Sequence, residues 1–300
     1  MTGIKSRCRE NDAVILAHNY QPPEIQDLAD FVGDSLELSV KAAQAQHRMI
    51  VFCGVRFMAE TAKLLSPAST VLLPRIEAGC PMADMADADK LRELKAAHPG
   101  AVAVCYVNST AAVKAECDIC CTSANAERIV RMIPADREII FLPDRNLGAN
   151  VEKATGRKMI LWPGFCPTHM RIVPELMEQS RAAHPHAVVM VHPECMPAVT
   201  ALADQVLSTG GMLRFARQTS VRQIIVGTES GLLHRLQREN PDKEFFPIGG
   251  NIVCPNMKMI SPHDVLNALD KKETEIVIPE ALRLRARAPI TRMIEGKIDL

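Results

Sequence analysis

The feature that most limits how this chain can fold is an internal repeat of roughly 87 residues, longer than an ordinary solenoid unit. His18-Asn19-Tyr20, Tyr106-Val107-Asn108 and His192-Pro193-Glu194 each close a short apolar run, and their first residues stand 88 and then 86 positions apart. Counting from these starts, an aspartate follows after 12 residues (Asp30, Asp118, Asp204) and a hydroxyl residue after 17 (Ser35, Ser123, Thr209). A Cys-Pro pair follows after 62, 60 and 62 residues (Cys80-Pro81, Cys166-Pro167, Cys254-Pro255). Between these marks, β-branched runs such as Ala13–Ala17, Met49–Cys53, Ala101–Cys105, Glu138–Leu142, Ala187–Val191 and Ile224–Val226 alternate with amphipathic stretches. Alternation of this kind predicts βαβ units with parallel sheets.

The expected fold is therefore α/β: three pseudo-threefold-related units over residues 1–86, 87–175 and 176–262, arranged as a triangle. Residues 263–300 fall outside the repeat; Glu280–Arg287 reads as a helix expected to pack back on the first unit. Ligands of open α/β sheets sit beyond the carboxyl ends of the strands, where the repeated polar residues lie. If the three units present those ends to a common axis, their loops converge on one central site.

Composition narrows what such a site can serve. Of the 300 residues 47% are hydrophobic and 23% charged, which suits a globular chain, and 35 Lys+Arg balance 35 Asp+Glu. No basic run is interleaved with aromatics, so neither nucleic acid nor an anionic membrane is an expected partner, and a small ligand is. No stretch of about 18 uncharged apolar residues occurs, and Met1–Asp12 lacks the apolar core of a signal peptide, so a cytoplasmic location is expected. Ten cysteines are many for a reducing compartment, where metal or redox chemistry explains them better than disulfides.

Cys80, Cys166 and Cys254 each precede a proline, which favours an extended or turn conformation suited to a ligand on a loop. Three thiolates from equivalent loops can hold three irons of a [4Fe-4S] cluster, leaving the fourth iron open to a substrate oxygen. Buried structural thiols are the bland reading of any single Cys-Pro, and a zinc site with three thiolates fits the same ligands. Cys117, Cys120 and Cys121 invite a redox-motif reading, but they align with Ala29, Val32 and Gly33 of the first unit, so packing is their expected role. Cys8, Cys53, Cys105 and Cys195 have no partner by spacing.

Ser35, Ser123 and Thr209 stand where a short strand gives way to a helical pattern, and they read as N-caps. Three helix N-termini aimed at one axis would draw small polyanions. His18, Tyr20, Tyr106, Asn108, His192 and Glu194 place titratable groups at the strand ends, as acid–base chemistry needs, although a lone histidine or tyrosine there is more often framework. Asp144-Arg145-Asn146, Gly227-Thr228-Glu229 and Cys53-Gly54-Val55 occupy the next strand ends, as pocket walls or turns.

From about Val14 to Met293 the chain resembles the quinolinate synthase family. The resemblance is carried by Leu16–Ser39, Gly54–Lys63, Glu77–Met82, Tyr106–Thr110, Pro143–Gly148, Val191–Cys195, Gly227–Leu236 and Cys254–Lys258. It implies three α/β domains around a [4Fe-4S] cluster on Cys80, Cys166 and Cys254, the three that the repeat selects. It also implies condensation of iminosuccinate with dihydroxyacetone phosphate to quinolinate, the precursor of the pyridine ring of NAD. Iminosuccinate contacts then fall on His18, Ser35, Tyr106, Val107, Asn108, Ser123, His192, Pro193, Glu194 and Thr209. Tyr20, Glu194 and His18 are the expected proton carriers. An aspartate oxidase or dehydrogenase would supply the iminosuccinate. No cysteine follows Cys254, as in shorter members. Two other functions compete: a non-catalytic iron–sulfur redox or oxygen sensor, which needs no anion pocket, and a zinc-dependent hydrolase or aldolase, which needs a different metal.

Overall fold

The computed structural model describes residues 2–297; Met1 of the first expected unit and residues 298–300 of the expected tail lie outside the described residues. Three separate sheets alternate with helices along the chain, and every strand pair within them is parallel. The first sheet contains β1 (Ala13–His18), β2 (Phe31–Gly33), β3 (Met49–Cys53) and β4 (Thr70–Leu72), in the order β2-β1-β3-β4. The second contains β5 (Val102–Tyr106), β6 (Ile119–Cys121), β7 (Ile139–Leu142) and β8 (Ile160–Leu161), in the order β6-β5-β7-β8. The third contains β9 (Val188–Val191), β10 (Gln205–Val206), β11 (Gln223–Gly227) and β12 (Glu244–Pro247), in the order β10-β9-β11-β12. One strand order thus recurs three times. β3, β5 and β7 are apolar and buried along their whole length, as parallel strands covered on both faces must be.

The repeated aspartates are part of this frame. The carboxylates of Asp30, Asp118 and Asp204 accept the backbone N–H groups of Ile15, Ala103 and Val189 at 2.8, 2.7 and 2.8 Å. Their own N–H groups donate back to the carbonyls of the same three residues at 2.9, 3.0 and 3.0 Å. Each aspartate also pairs with a cation from the helix that opens its unit. Lys5, Lys95 and Arg181 lie 2.6, 3.2 and 3.0 Å away, on helices Thr2–Asn11, Ala88–Ala97 and Pro174–Ala183. Exposed pairs of this kind contribute little energy; the backbone bonds fix where the short outer strand begins.

The tail divides between two units. Helix Pro262–Lys271 packs on helix Thr2–Asn11 and on β3. The following residues then bond β4, with Leu73 N–H donating to Thr274 O at 3.0 Å and Ile276 N–H to Val71 O at 2.8 Å. These bonds occupy a sheet edge that would otherwise be open. The last helix, Glu280–Glu295, expected to pack back on the first unit, meets that unit only in part. It lies mainly against β6 and helix Ala111–Lys114 of the second sheet, and also meets helix Arg56–Leu65 of the first. Its Ala286, Pro289, Ile290 and Met293 are buried there, and Arg292 donates to Asp118 O at 2.6 Å. Among the described residues no helix is long and apolar enough to cross a membrane.

One close approach bears directly on the site. Gly164, two residues before Cys166, bridges Asp144, and a Cβ there would fall 2.4 Å from Pro143 O and 3.3 Å from Met85 Cβ. A backbone carbonyl cannot step aside as a flexible side chain can. Gly164→Ala is therefore expected to cost about 1–3 kcal/mol in urea unfolding. An unchanged midpoint would show that this loop has slack.

Candidate active site

A single cavity lies at the carboxyl ends of the three sheets. His18, Tyr20 and Ser35 from the first unit, Tyr106, Asn108 and Ser123 from the second, and His192, Glu194 and Thr209 from the third all line it. Cys80, Cys166 and Cys254 line it too. Two expected contacts do not: Val107 is buried in the hydrophobic core, and Pro193 turns its carbonyl to Asn150 Nδ2 at 2.8 Å. In each strand-end triplet the first and third residues reach the cavity and the middle one is absent from its wall, as side-chain alternation at the end of a strand dictates.

The hydroxyl residues require a correction. Ser35, Ser123 and Thr209 are not the helix caps. Asp34 caps helix Ser35–Gln44 in a capping box with Glu37, and Ser208 caps helix Thr209–Gln218 by accepting Gly211 N–H. Ser123 sits in the turn before helix Ala126–Met132. Adjacent residues able to cap, Asp34-Ser35 and Ser208-Thr209, made the position ambiguous, and the earlier one takes the role each time. The later hydroxyls are then left at the cavity wall, and Thr209 Oγ1 accepts Asn19 Nδ2 at 3.0 Å. Asp34 also lines the cavity, and burial raises its carboxyl above the usual range, which weakens the negative charge it would set against an anion.

Across the cavity runs a buried path of hydrogen bonds. Tyr20 Oη lies 2.5 Å from Thr228 Oγ1, which lies 2.9 Å from His169 Nε2. His169 Nδ1 lies 2.8 Å from Glu194 Oε2, and Tyr106 Oη donates to Glu194 Oε1 at 2.5 Å. With Nδ1 facing a carboxylate, that nitrogen carries the proton and Nε2 accepts from Thr228, so the polarity of the path follows from its acidic end. Burial opposes ionisation of Glu194, but the imidazole and the hydroxyl donor prevail and hold its carboxyl below the usual range. Burial, and then the charge of Glu194, push both tyrosine phenols well above their ordinary pKa, so they stay protonated. Asn108 Oδ1 is buried without a partner in the cavity wall, as befits an acceptor awaiting a ligand donor.

His18 and His192 play matching parts. Each accepts through Nδ1 the N–H two residues on, Tyr20 N–H at 3.1 Å and Glu194 N–H at 3.3 Å, which leaves Nε2 as the protonated nitrogen of a neutral ring. Burial drives both pKa values down to about 3, so both rings remain neutral donors at pH 7. His169, Thr228 and Asp34 were not singled out as site residues by sequence reasoning. A histidine three positions after Cys166 was the available signal for the first, and Thr228 lay in a strand-end triplet already marked as pocket or turn.

The three cysteines suit a thiolate-bound metal group. Each comes from a different unit and is half-buried, and Cys80 and Cys254 have the extended conformation, with ψ 109° and 110°, that the following proline favours. Backbone N–H groups of Met82 and Ala83 face Cys80, and that of His169 faces Cys166, the donors a thiolate needs. Burial outweighs them while the thiols are free, raising Cys80 to about 12 and Cys166 in the same direction; a bound cation would reverse that balance. A second donor set overlaps the first, because ligand atoms of Cys166, His169 and Glu194 lie within 4.8 Å of one another.

Comparison with known proteins gives one answer along the chain. The family model described as quinolinate synthetase A protein matches residues 2–295. A quinolinate synthase of Dehalococcoides mccartyi (strain ATCC BAA-2100) is 54% identical over 286 residues, covering 95% of this chain and 94% of that protein. One of Pelobacter propionicus is 52% identical over 297 residues, covering 97% of each, and one of Geobacter sp. (strain M21) is 50% identical over 291 residues, covering 97% and 95%.

The neutral histidines set a pH dependence. Unfolded, each imidazole titrates near 6.5; folded, near 3. Between those values the unfolded chain binds protons that the folded chain refuses, so stability falls as the pH is lowered. At about pH 5 the loss is about 2 kcal/mol per histidine, and Glu194 adds to it below its unfolded value of 4.5. Urea titrations of metal-free protein should show this slope, flattened in the His18→Asn, His192→Asn double variant. Equal slopes would mean that the two rings protonate freely inside the fold.

Proposed function

The chain belongs to the quinolinate synthetase A family, and from that premise we propose that it condenses iminosuccinate with dihydroxyacetone phosphate to quinolinate, with loss of phosphate and water, as a step of NAD biosynthesis. The observation that carries the reading is the convergence of one Cys-Pro cysteine from each unit on the cavity that holds the Tyr20-to-Glu194 path. Cys80, Cys166 and Cys254 would hold a [4Fe-4S] cluster, which when bound supplies a Lewis-acidic iron for a substrate oxygen.

The residues of the chain supply the rest. Both substrates are dianions near neutral pH, so they need donors and no competing charge. The neutral Nε2–H groups of His18 and His192, the hydroxyls of Ser35, Ser123 and Thr209 and the amide of Asn108 are such donors. Loss of water demands a proton for the leaving oxygen. The Tyr20 phenol, kept protonated by burial, can give one and, as the phenolate so formed, take up the carbon proton that the elimination releases, while Thr228, His169 and Glu194 hold the phenol in place. Tyr106 and Asn108 anchor the other Glu194 oxygen and keep it from turning toward the substrate. Iminosuccinate hydrolyses readily, so an oxidase or dehydrogenase acting on aspartate must make it close to its point of use.

The Cys166, His169 and Glu194 set favours a second reading, a mononuclear zinc centre for hydrolytic or aldol chemistry. Metal analysis separates the two. Protein purified without oxygen is expected to carry about four irons and matching sulfide per chain. That content should be lost in Cys80→Ala, Cys166→Ala and Cys254→Ala and retained in Cys117→Ala. Zinc, or iron that survives loss of Cys80, would overturn the cluster reading. Tyr20→Phe should keep its iron and lose about 100-fold or more in quinolinate formation, the scale of one acid–base group; undiminished turnover would remove Tyr20 from the mechanism.

A further inference from the structure

Glu229 is a buried carboxylate that the chemistry above leaves unused. Its side chain is wholly inaccessible, yet every oxygen is engaged. Oε1 accepts Cys254 N–H at 3.2 Å and lies 2.9 Å from Lys258 Nζ, while Oε2 accepts Gly231 N–H at 2.7 Å. Lys258 donates in turn to the carbonyl of Tyr20. One carboxylate–ammonium pair therefore joins the backbone of the third cysteine to the turn that carries the catalytic phenol, across the boundary between the third and first units.

Gly231 bears independent witness to how closely this node is built. Its backbone is ordinary, with φ −59°, so nothing in the local conformation requires glycine. A Cβ there would nevertheless fall 2.7 Å from Lys258 Nζ, 2.7 Å from Tyr20 O and 2.8 Å from Glu229 Oε2. The position excludes any side chain because the three groups meet over it. The rest of the third cysteine loop is tied to the same unit: Gln21 Nε2 donates to Met257 O at 2.9 Å and Asn256 Nδ2 to Gly79 O at 2.8 Å, next to Cys80. A buried ion pair is seldom a net gain in stability over apolar packing, because desolvation consumes the attraction; a role in register explains it better.

We propose that Glu229 and Lys258 form a positioning pair that locks the Cys254 loop against the Tyr20 turn and so determines how firmly the third cysteine holds iron. The proposal rests on the iron–sulfur reading above and concerns a group that donates no ligand atom. Glu229→Ala removes the acceptor of Cys254 N–H, Lys258→Met removes the tie to Tyr20, and Gly231→Ala drives a methyl group into the node while leaving both residues of the pair unchanged.

Two readouts test it. In anaerobic protein, release of iron to a ferrous chelator should quicken about 10-fold to 100-fold, the usual cost of losing an outer-sphere partner. In metal-free protein, iodoacetamide should alkylate Cys254 faster in each variant while Cys80 reacts at its wild-type rate, and Glu229→Gln, which keeps one acceptor oxygen, should fall between. Wild-type rates of both processes in variants that retain the native far-ultraviolet spectrum would overturn the proposal, and so would equal acceleration at Cys80 and Cys254, the mark of general loosening. Where one of these variants fails to fold, Glu229→Gln, the smallest change at the node, carries the test in its place. Wild-type protein without iron would sink the cluster reading instead, and the alkylation contrast would still decide the pair.

Discussion

The negative charge of Glu194 is what the assembled structure has to accommodate. Its residue is 4% exposed, and a carboxylate taken out of water without partners costs several kcal/mol. The glutamate belongs to the third unit, whereas His169, Tyr106 and Asn108, which satisfy it, belong to the second. Its charge is therefore compensated only when those two units are docked. The same boundary carries Asn146 to Glu194 O at 3.2 Å and Thr200 to Asn150 at 2.7 Å, so the bonds that assemble the site are also those that join the units. Thr228 then passes the connection to Tyr20 in the first unit, and one chain of bonds touches all three.

Around that charge the molecule repeats what is structural and varies what is chemical. Each unit keeps the strand order, the aspartate that brackets the central strand, and the cation from its opening helix. The strand-end triplets diverge. His18 and His192 make the same ring-to-backbone bond, but the residue each one supports is Tyr20 in one unit and Glu194 in another, and Tyr106 takes the histidine position in the second. A threefold scaffold gives three equivalent cysteine loops, suitable for a symmetric metal group. Its unequal triplets put a phenol, Tyr20, and a carboxylate, Glu194, into the wall of one cavity, which a symmetric site lacks.

Short-range features were legible without a structure because their causes are local. Buried parallel strands read as unbroken apolar runs, as in Met49–Cys53 and Ile139–Leu142. Cys-Pro loops are extended because proline restricts the residue before it, whatever lies beyond. The caps were misplaced by one residue because Asp34 and Ser35, like Ser208 and Thr209, are both competent, and only backbone geometry chooses between them. The last helix was expected on the first unit because periodicity shows that a helix has an apolar face and says nothing about which surface covers it.

By itself the sequence determined three equivalent α/β units, one cysteine from each at a common end, and the strand-end residues able to form a polar cavity. Equal spacing carries that information because identical local folding places identical positions at identical points of each unit. What only the tertiary structure decided was which polar groups meet. His169 and Thr228 are 59 residues apart, Tyr20 and Thr228 are 208 apart, and Glu229 finds the N–H of Cys254 across 25 residues. Such pairings depend on how whole sheets are turned toward one another, and that is set by the summed packing of the three units rather than by any residue type or spacing along the chain.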